Sequence, residues 1–129
     1  MDRVQKAIEN HKKGYNCAQA VVCAFADKTS FTEDELFRLS EAFGGGMGGT
    51  GGVCGAVSAM VLLTGLKNSL GIDNLPETNK KISYANAAEL IKKFEDMNTS
   101  SICSRIKGEG LRSCDGCIED AVRILEENL

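Results

Sequence analysis

The apolar and polar positions of the chain repeat with the period of α-helices. Val4, Ala7 and Ile8 form one face of a short amphipathic segment that Gly14 should end. A second helix is expected after Asn16, a favourable N-cap residue. The apolar positions of this second segment are Cys17, Ala20, Val21, Ala24 and Phe25.

A third helix begins at a capping-box sequence, Thr-Glu-Asp-Glu, in which Thr32 and Glu35 can each satisfy a free amide. Its apolar positions Leu36, Leu39 and Phe43 continue to the glycines that should end it.

The stretch from about Val53 to Leu66 is apolar on nearly every face, which is typical of a helix at the centre of a bundle. A connector broken by Pro76 separates it from a long amphipathic helix over about residues 79–97. The apolar positions of this long helix are Tyr84, Ala87, Ala88, Ile91 and Phe94.

Two further helices are expected near the end of the chain. Ser100 or Ser101 can cap the first, and Asp115 can cap the last. There is no internal repeat and no convincing strand alternation. The pattern therefore predicts one all-α domain over residues 1–129, a bundle of five to seven helices around the buried, glycine-led central helix.

Composition and charge exclude several classes of partner. The formal net charge is −3 and the Lys and Arg residues are scattered, so we expect no nucleic-acid binding. The longest apolar run covers 14 residues, fewer than the roughly 20 that span a bilayer, so we expect no membrane insertion. The polar first residues contain no apolar targeting segment, and a cytoplasmic location is expected.

Six cysteines are unusual for a cytoplasmic chain, because persistent disulfides are rare there and such residues more often bind metal or perform thiol chemistry. Four of them, Cys17, Cys54, Cys103 and Cys117, fall in the first turn of a predicted helix. Unpaired amides and the positive end of the helix dipole favour a thiolate there.

Seven glycines lie between positions 44 and 52, just before Cys54. They allow a sharp turn with positive φ, and we expect the backbone at Gly52 and Gly55 to lie close to the thiols and to any cofactor they bind. The segment lacks the Lys-Ser/Thr ending of a nucleotide-binding loop.

The remaining candidates are less specific. Cys114 and Cys117 form a C-x-x-C pair, typical of a redox dithiol or half of a metal site, so Cys114 is a further candidate metal ligand. Cys23 is expected in the core, His11 in solvent, and Met47 folded back on the core.

These stretches resemble the protein family named for the pattern C_GCAxxG_C_C. The resemblance runs through Gly14–Val21, Phe43–Ala59, the isolated Cys103 and Cys117–Leu125, and it implies redox activity. The four family cysteines would be Cys17, Cys54, Cys103 and Cys117. The last glycine of the family motif is Ala59 here, and Cys23 and Cys114 fall outside the pattern.

Three functions are compatible with these features. In the first, the four cysteines, with or without Cys114, bind an iron–sulfur cluster or a thiophilic ion such as zinc for electron transfer or delivery. In the second, Cys54 attacks a disulfide and Cys17, Cys103 or Cys117 resolves it, without metal. In the third, the chain is a helical interaction module with core cysteines.

The first two functions require a redox partner protein, which the sequence does not identify. A central helix rich in Gly and Ala could also pack against a second copy of the chain, so a homodimer is a further expectation.

Overall fold

A computed structural model describes residues 1–129 and contains seven α-helices, a single α-helical turn, three 3-10 helices of three residues each and no strand. The helices are α1 (Arg3–Lys12), α2 (Cys17–Cys23), α3 (Glu33–Ser40), α5 (Gly55–Asn68), α6 (Lys80–Asn98), α7 (Cys103–Gly108) and α8 (Cys114–Asn128), and α4 (Gly44–Met47) is the isolated turn. The all-α prediction is confirmed. No helix combines the length and the apolar character needed to cross a membrane.

Helix α5 lies at the centre and packs against α2, α6 and α8. Its first half is buried, as its apolar sequence predicts, with Val57 and Met60 completely covered. The second half is not covered on every side, because Val61 and Leu66 are 39% and 41% exposed. The expectation of a helix buried on nearly all faces therefore holds only for the half nearest the glycines.

The predicted helix starts at Asn16 and Thr32 are confirmed in detail. The Asn16 side chain accepts a hydrogen bond from the Gln19 amide at 2.9 Å, and the Gln19 side chain accepts from the Asn16 amide at 3.0 Å. Thr32 and Glu35 form the same reciprocal pair. These capping boxes fix where α2 and α3 begin, and hence the position of Cys17.

Two predicted caps are wrong. The N-cap of α7 is Ile102, not Ser100 or Ser101, because backbone carbonyls accept the hydrogen bonds of its first amides. The N-cap of α8 is Ser113, whose hydroxyl accepts from the Gly116 amide at 3.0 Å.

The first turns of α6 are less buried than the sequence predicts. Tyr84, which the periodicity places on the apolar face, is 69% exposed. The buried residues of α6 lie in its second half, at Leu90, Phe94 and Asn98.

Backbone pairing attaches the glycine segment to the start of α7. The Cys103 amide donates to the Gly52 carbonyl at 2.6 Å, and the Ser104 amide donates to the Gly51 carbonyl at 3.1 Å. The Cys54 amide donates to the Ser101 carbonyl at 2.7 Å. These bonds hold Cys54 and Cys103 on adjacent backbone segments.

Substitution of Gly46 should test this packing. Gly46 has a φ of +73°, and an added Cβ would lie 2.6 Å from the Cys103 Cβ and 2.8 Å from the Gly52 nitrogen. Gly45 has a similar φ of +64° but open space around it. We expect Gly45→Ala to cost about 1 kcal/mol of unfolding free energy from strain alone, and Gly46→Ala about 1–3 kcal/mol more from overpacking.

Denaturant unfolding under reducing conditions measures the unfolding free energy of both variants. Equal midpoints for Gly45→Ala and Gly46→Ala would contradict the close approach of Gly46 to Cys103.

Candidate functional site

Five of the six cysteines line one small cavity of about 30 Å³. The five are Cys17, Cys54, Cys103, Cys114 and Cys117. A volume of this size has room for about two water molecules. The structure thus brings together the four cysteines that the sequence analysis placed at helix starts, and adds Cys114.

The beginnings of four helices converge on this cavity. Cys17 and Cys103 are the first residues of α2 and α7, and Cys54 immediately precedes α5. Cys114 is the first residue of α8, and Cys117 lies in its first turn. The positive ends of α5 and α8 are therefore directed toward the sulfurs, which favours their thiolate forms.

Glycine, which has no side chain, allows this close convergence. A Cβ on Gly55 would lie 3.1 Å from the Ala18 nitrogen and 3.3 Å from the Cys17 Cβ. Gly55 therefore lets the start of α5 pack directly against the start of α2. Gly46 makes a similar close approach to Cys103, so glycines before and after Cys54 allow the backbone to pack closely around the thiols.

The thiols fall into two pairs, in each of which the two groups affect each other's ionisation. Cys54 and Cys117 form the first pair, and both are buried, with 5% and 3% of their surface exposed. Cys17 and Cys114 are the second pair, and both are only half-buried. The cavity therefore has an inner pair, Cys54 and Cys117, and an outer pair, Cys17 and Cys114.

The inner pair has one acidic thiol. The Cys117 hydrogen bond, the Ala56 and Val57 amides beside the sulfur and the charge of Lys107 outweigh burial and lower the pKa of Cys54 to about 7. The same interaction and burial raise the pKa of Cys117 far above its ordinary value. Near neutral pH the pair therefore carries at most one negative charge, mainly on Cys54.

Two other thiols of the cavity, those of Cys17 and Cys103, have a raised pKa. Burial, followed by the charges of Cys114 and Cys54, raises the pKa of Cys17 to about 12. Burial also raises the pKa of Cys103, against the opposing effect of Lys107. Several thiolates cannot coexist in so small a volume without strong repulsion.

Two cationic side chains, which were not predicted from the sequence, also line the cavity. Lys107 has no carboxylate partner, and the negative charge of Cys114 is the main cause that raises its pKa. Arg112 donates two hydrogen bonds to buried Asp120, at 3.1 and 3.2 Å, and its side chain lies over Gly116. The only sequence feature that could have indicated these two residues is their position near the connection between α7 and α8. Charged residues are common in such connections, so this feature is not specific.

The remaining candidates lie elsewhere or do not line the cavity. Cys23 is buried at the end of α2, beside the Glu33 carbonyl. His11 contacts Asp115 at 2.7 Å on the surface. Gly52 is not part of the cavity lining, and its amide and carbonyl are both used in backbone hydrogen bonds. Met47 is 45% exposed, but its sulfur accepts a hydrogen bond from the Ser58 hydroxyl of α5 at 3.9 Å, so the expectation that it folds back on the core holds in part.

The donor set does not match a metal site. No group of three or more His, Cys, Asp or Glu side chains is arranged to hold a metal ion. The sulfurs are grouped as two pairs instead.

Comparison with known proteins gives one match. Residues 15–128 match the model of the family described as "Putative redox-active protein (C_GCAxxG_C_C)". The chain belongs to this family. No curated protein and no solved structure matches the chain.

The C_GCAxxG_C_C pattern falls on residues of the cavity. When its cysteine is placed on Cys54, the Gly-Cys-Ala-x-x-Gly stretch of the pattern covers residues 53–58, and Gly55 in this stretch makes the close contact with α2. The last glycine position is then occupied by the buried Ser58, so the expectation that Ala59 replaces it is wrong. Cys114, outside the pattern, nevertheless lines the cavity.

The low pKa of Cys54 should appear in a titration. The difference in thiolate ultraviolet absorbance between the wild type and Cys54→Ala should rise with pH with a midpoint near 7. In a Cys117→Ala background the midpoint should move upward, because the largest cause of the lowered pKa is removed.

Titration between about pH 5 and pH 9 covers the expected range. Cys117→Ser retains a hydrogen-bond donor and should restore much of the low midpoint. A midpoint unchanged in Cys117→Ala would contradict the pairing of Cys54 with Cys117.

Proposed function

We propose that the chain is a thiol–disulfide redox protein whose inner pair, Cys54 and Cys117, cycles between dithiol and disulfide. The observation that carries this proposal is that an acidic thiol and a less acidic one line the same cavity, and that each is the main cause of the other's shifted pKa. A thiol with a pKa near ambient pH is the most effective attacking group in disulfide exchange.

The proposed reaction begins with the Cys54 thiolate. It attacks one sulfur of a substrate disulfide and forms a mixed disulfide, while the other substrate sulfur leaves as a thiolate and takes a proton from water. Cys117 then loses its proton and attacks the Cys54 sulfur, which releases the second substrate sulfur as a thiol. Two electrons pass to the substrate, and the protein retains a Cys54–Cys117 disulfide.

The electrostatics of the pair order these two steps. While Cys54 is ionised, its charge and its hydrogen bond keep Cys117 protonated. In the mixed disulfide Cys54 carries no charge, so this obstacle to ionisation of Cys117 disappears. The resolving thiol therefore becomes reactive only after the first attack.

A second candidate function is binding of a metal ion or an iron–sulfur cluster for electron transfer or delivery. It is favoured by the five cysteine sulfurs around one cavity, since thiolates are preferred ligands of zinc and of iron–sulfur clusters. The two-pair arrangement of the sulfurs would have to rearrange to form such a site.

Elemental analysis after purification without oxygen separates the two functions. The dithiol proposal predicts no stoichiometric metal in a folded, reduced protein. Stoichiometric iron or zinc that is lost in Cys54→Ala would overturn the proposal in favour of metal binding.

The dithiol function predicts a specific product. Reduced protein treated with glutathione disulfide should form an intramolecular disulfide between Cys54 and Cys117, identified by peptide mass spectrometry. Cys54→Ala should abolish this product, because it removes the attacking thiolate. Cys23→Ala, which changes a buried cysteine outside the cavity, is the matched control and should retain it.

A protein in which Cys54 and Cys117 both remain thiols after oxidation would contradict the proposed function. Equal effects of Cys54→Ala and Cys23→Ala would instead support an interaction module with structural cysteines.

A further inference from the structure

The inner pair is poorly placed to meet a large substrate. Cys54 and Cys117 expose 5% and 3% of their surface, and the cavity that reaches them has a volume of about 30 Å³. A disulfide on the surface of a folded protein is attached to two backbone segments and does not fit such a space. Exchange with a protein partner therefore needs a thiol nearer the surface.

The outer pair is more exposed to solvent than the inner pair. Cys17 and Cys114 line the same cavity and are half-buried, and the charge of Cys114 contributes to the raised pKa of Cys17. The close contact at Gly55 places Cys17 against the start of α5, one residue from Cys54. The two pairs are thus adjacent.

We infer that Cys17 and Cys114 form a second dithiol couple, which exchanges electrons between the inner pair and the disulfide of a protein partner. This inference rests on the proposed function of the inner pair. It gives Cys114, which no family pattern includes, a direct role in the reaction, and it makes the substrate class a protein disulfide.

The exchange transfers two electrons from the inner pair to the outer pair. One outer thiol, as its thiolate, attacks the partner disulfide and displaces the other partner sulfur as a thiolate. The second outer thiol then loses its proton and attacks the mixed disulfide, which releases the reduced partner and leaves a Cys17–Cys114 disulfide. The Cys54 thiolate attacks the Cys17 sulfur, the Cys17–Cys114 bond breaks, and Cys114 leaves as a thiolate. Cys117 gives up its proton to Cys114 and attacks Cys54, which releases Cys17 as a thiolate that takes a proton from water.

After these steps the outer pair is reduced and the inner pair is oxidised. A second partner disulfide can then oxidise the outer pair again, so the fully oxidised chain holds two disulfides.

Lys107 is placed to assist this exchange. Its ammonium group has no carboxylate partner and interacts most strongly with Cys114. A cation beside the leaving sulfur stabilises the thiolate that forms when the Cys17–Cys114 bond breaks. Lys107 is therefore a positioning residue for the outer pair.

Disulfide mapping and kinetics test the inference together. Wild-type protein is oxidised fully with glutathione disulfide and mapped, and the reduced protein is then assayed for reduction of insulin, a folded protein with disulfides. We expect both Cys17–Cys114 and Cys54–Cys117 disulfides in the map. Cys114→Ser should slow insulin reduction about tenfold or more while the Cys54–Cys117 disulfide still forms.

Two controls accompany the Cys114→Ser variant. Cys23→Ala should leave the insulin rate unchanged. Lys107→Gln should slow the rate less than Cys114→Ser does and leave both disulfides in the map, because it changes only the charge beside the leaving sulfur.

The outcomes separate this inference from the proposed function. A wild-type map with Cys54–Cys117 alone, or with Cys114 joined to Cys103 or Cys117, overturns the outer couple and leaves the inner dithiol in place. An insulin rate unchanged in Cys114→Ser does the same. A map without Cys54–Cys117 overturns both.

Discussion

The arrangement of the thiols depends on the backbone pairing between the glycine segment and the start of α7. The carbonyls of Gly51 and Gly52 accept the first amides of α7, which takes the place of a side-chain cap. This pairing requires a segment that repeatedly adopts positive φ, a conformation that costs little only for glycine. The glycines therefore serve to position the backbone around the sulfurs, and the conformational entropy they cost is offset by the site they make possible.

Charge is the second constraint on the cavity. Helix beginnings at α5 and α8 favour thiolates, whereas crowding of five sulfurs disfavours more than one at a time. The interaction between Cys54 and Cys117 resolves this conflict, because it lowers the pKa of Cys54 and raises that of Cys117, which leaves the charge on one sulfur and the proton on the other. Lys107 supplies the only unpaired positive side chain in the lining and lies beside the outer thiols. The arrangement is thus suited to sequential reactions of single thiolates.

Much of the fold could be predicted from local sequence signals. Capping boxes at Asn16 and Thr32 are made by residues three positions apart, so the sequence contains all the information they need. The caps of α7 and α8 were mispredicted for different reasons. The amides of α7 are satisfied by a distant backbone segment, and at α8 two neighbouring residues, Ser113 and Asp115, could each have acted as the cap.

The pairing of the thiols shows even more clearly that contacts between distant segments cannot be predicted from local sequence. The spacing of Cys114 and Cys117 indicates a local couple, yet each interacts with a cysteine on another helix, Cys17 and Cys54 respectively. Which sulfurs meet is decided by the packing of α2 and α5 at Gly55, a tertiary contact that no spacing encodes. Residues of a C-x-x-C motif in one helical turn can therefore belong to two different couples, and in this chain the fold determines their chemistry.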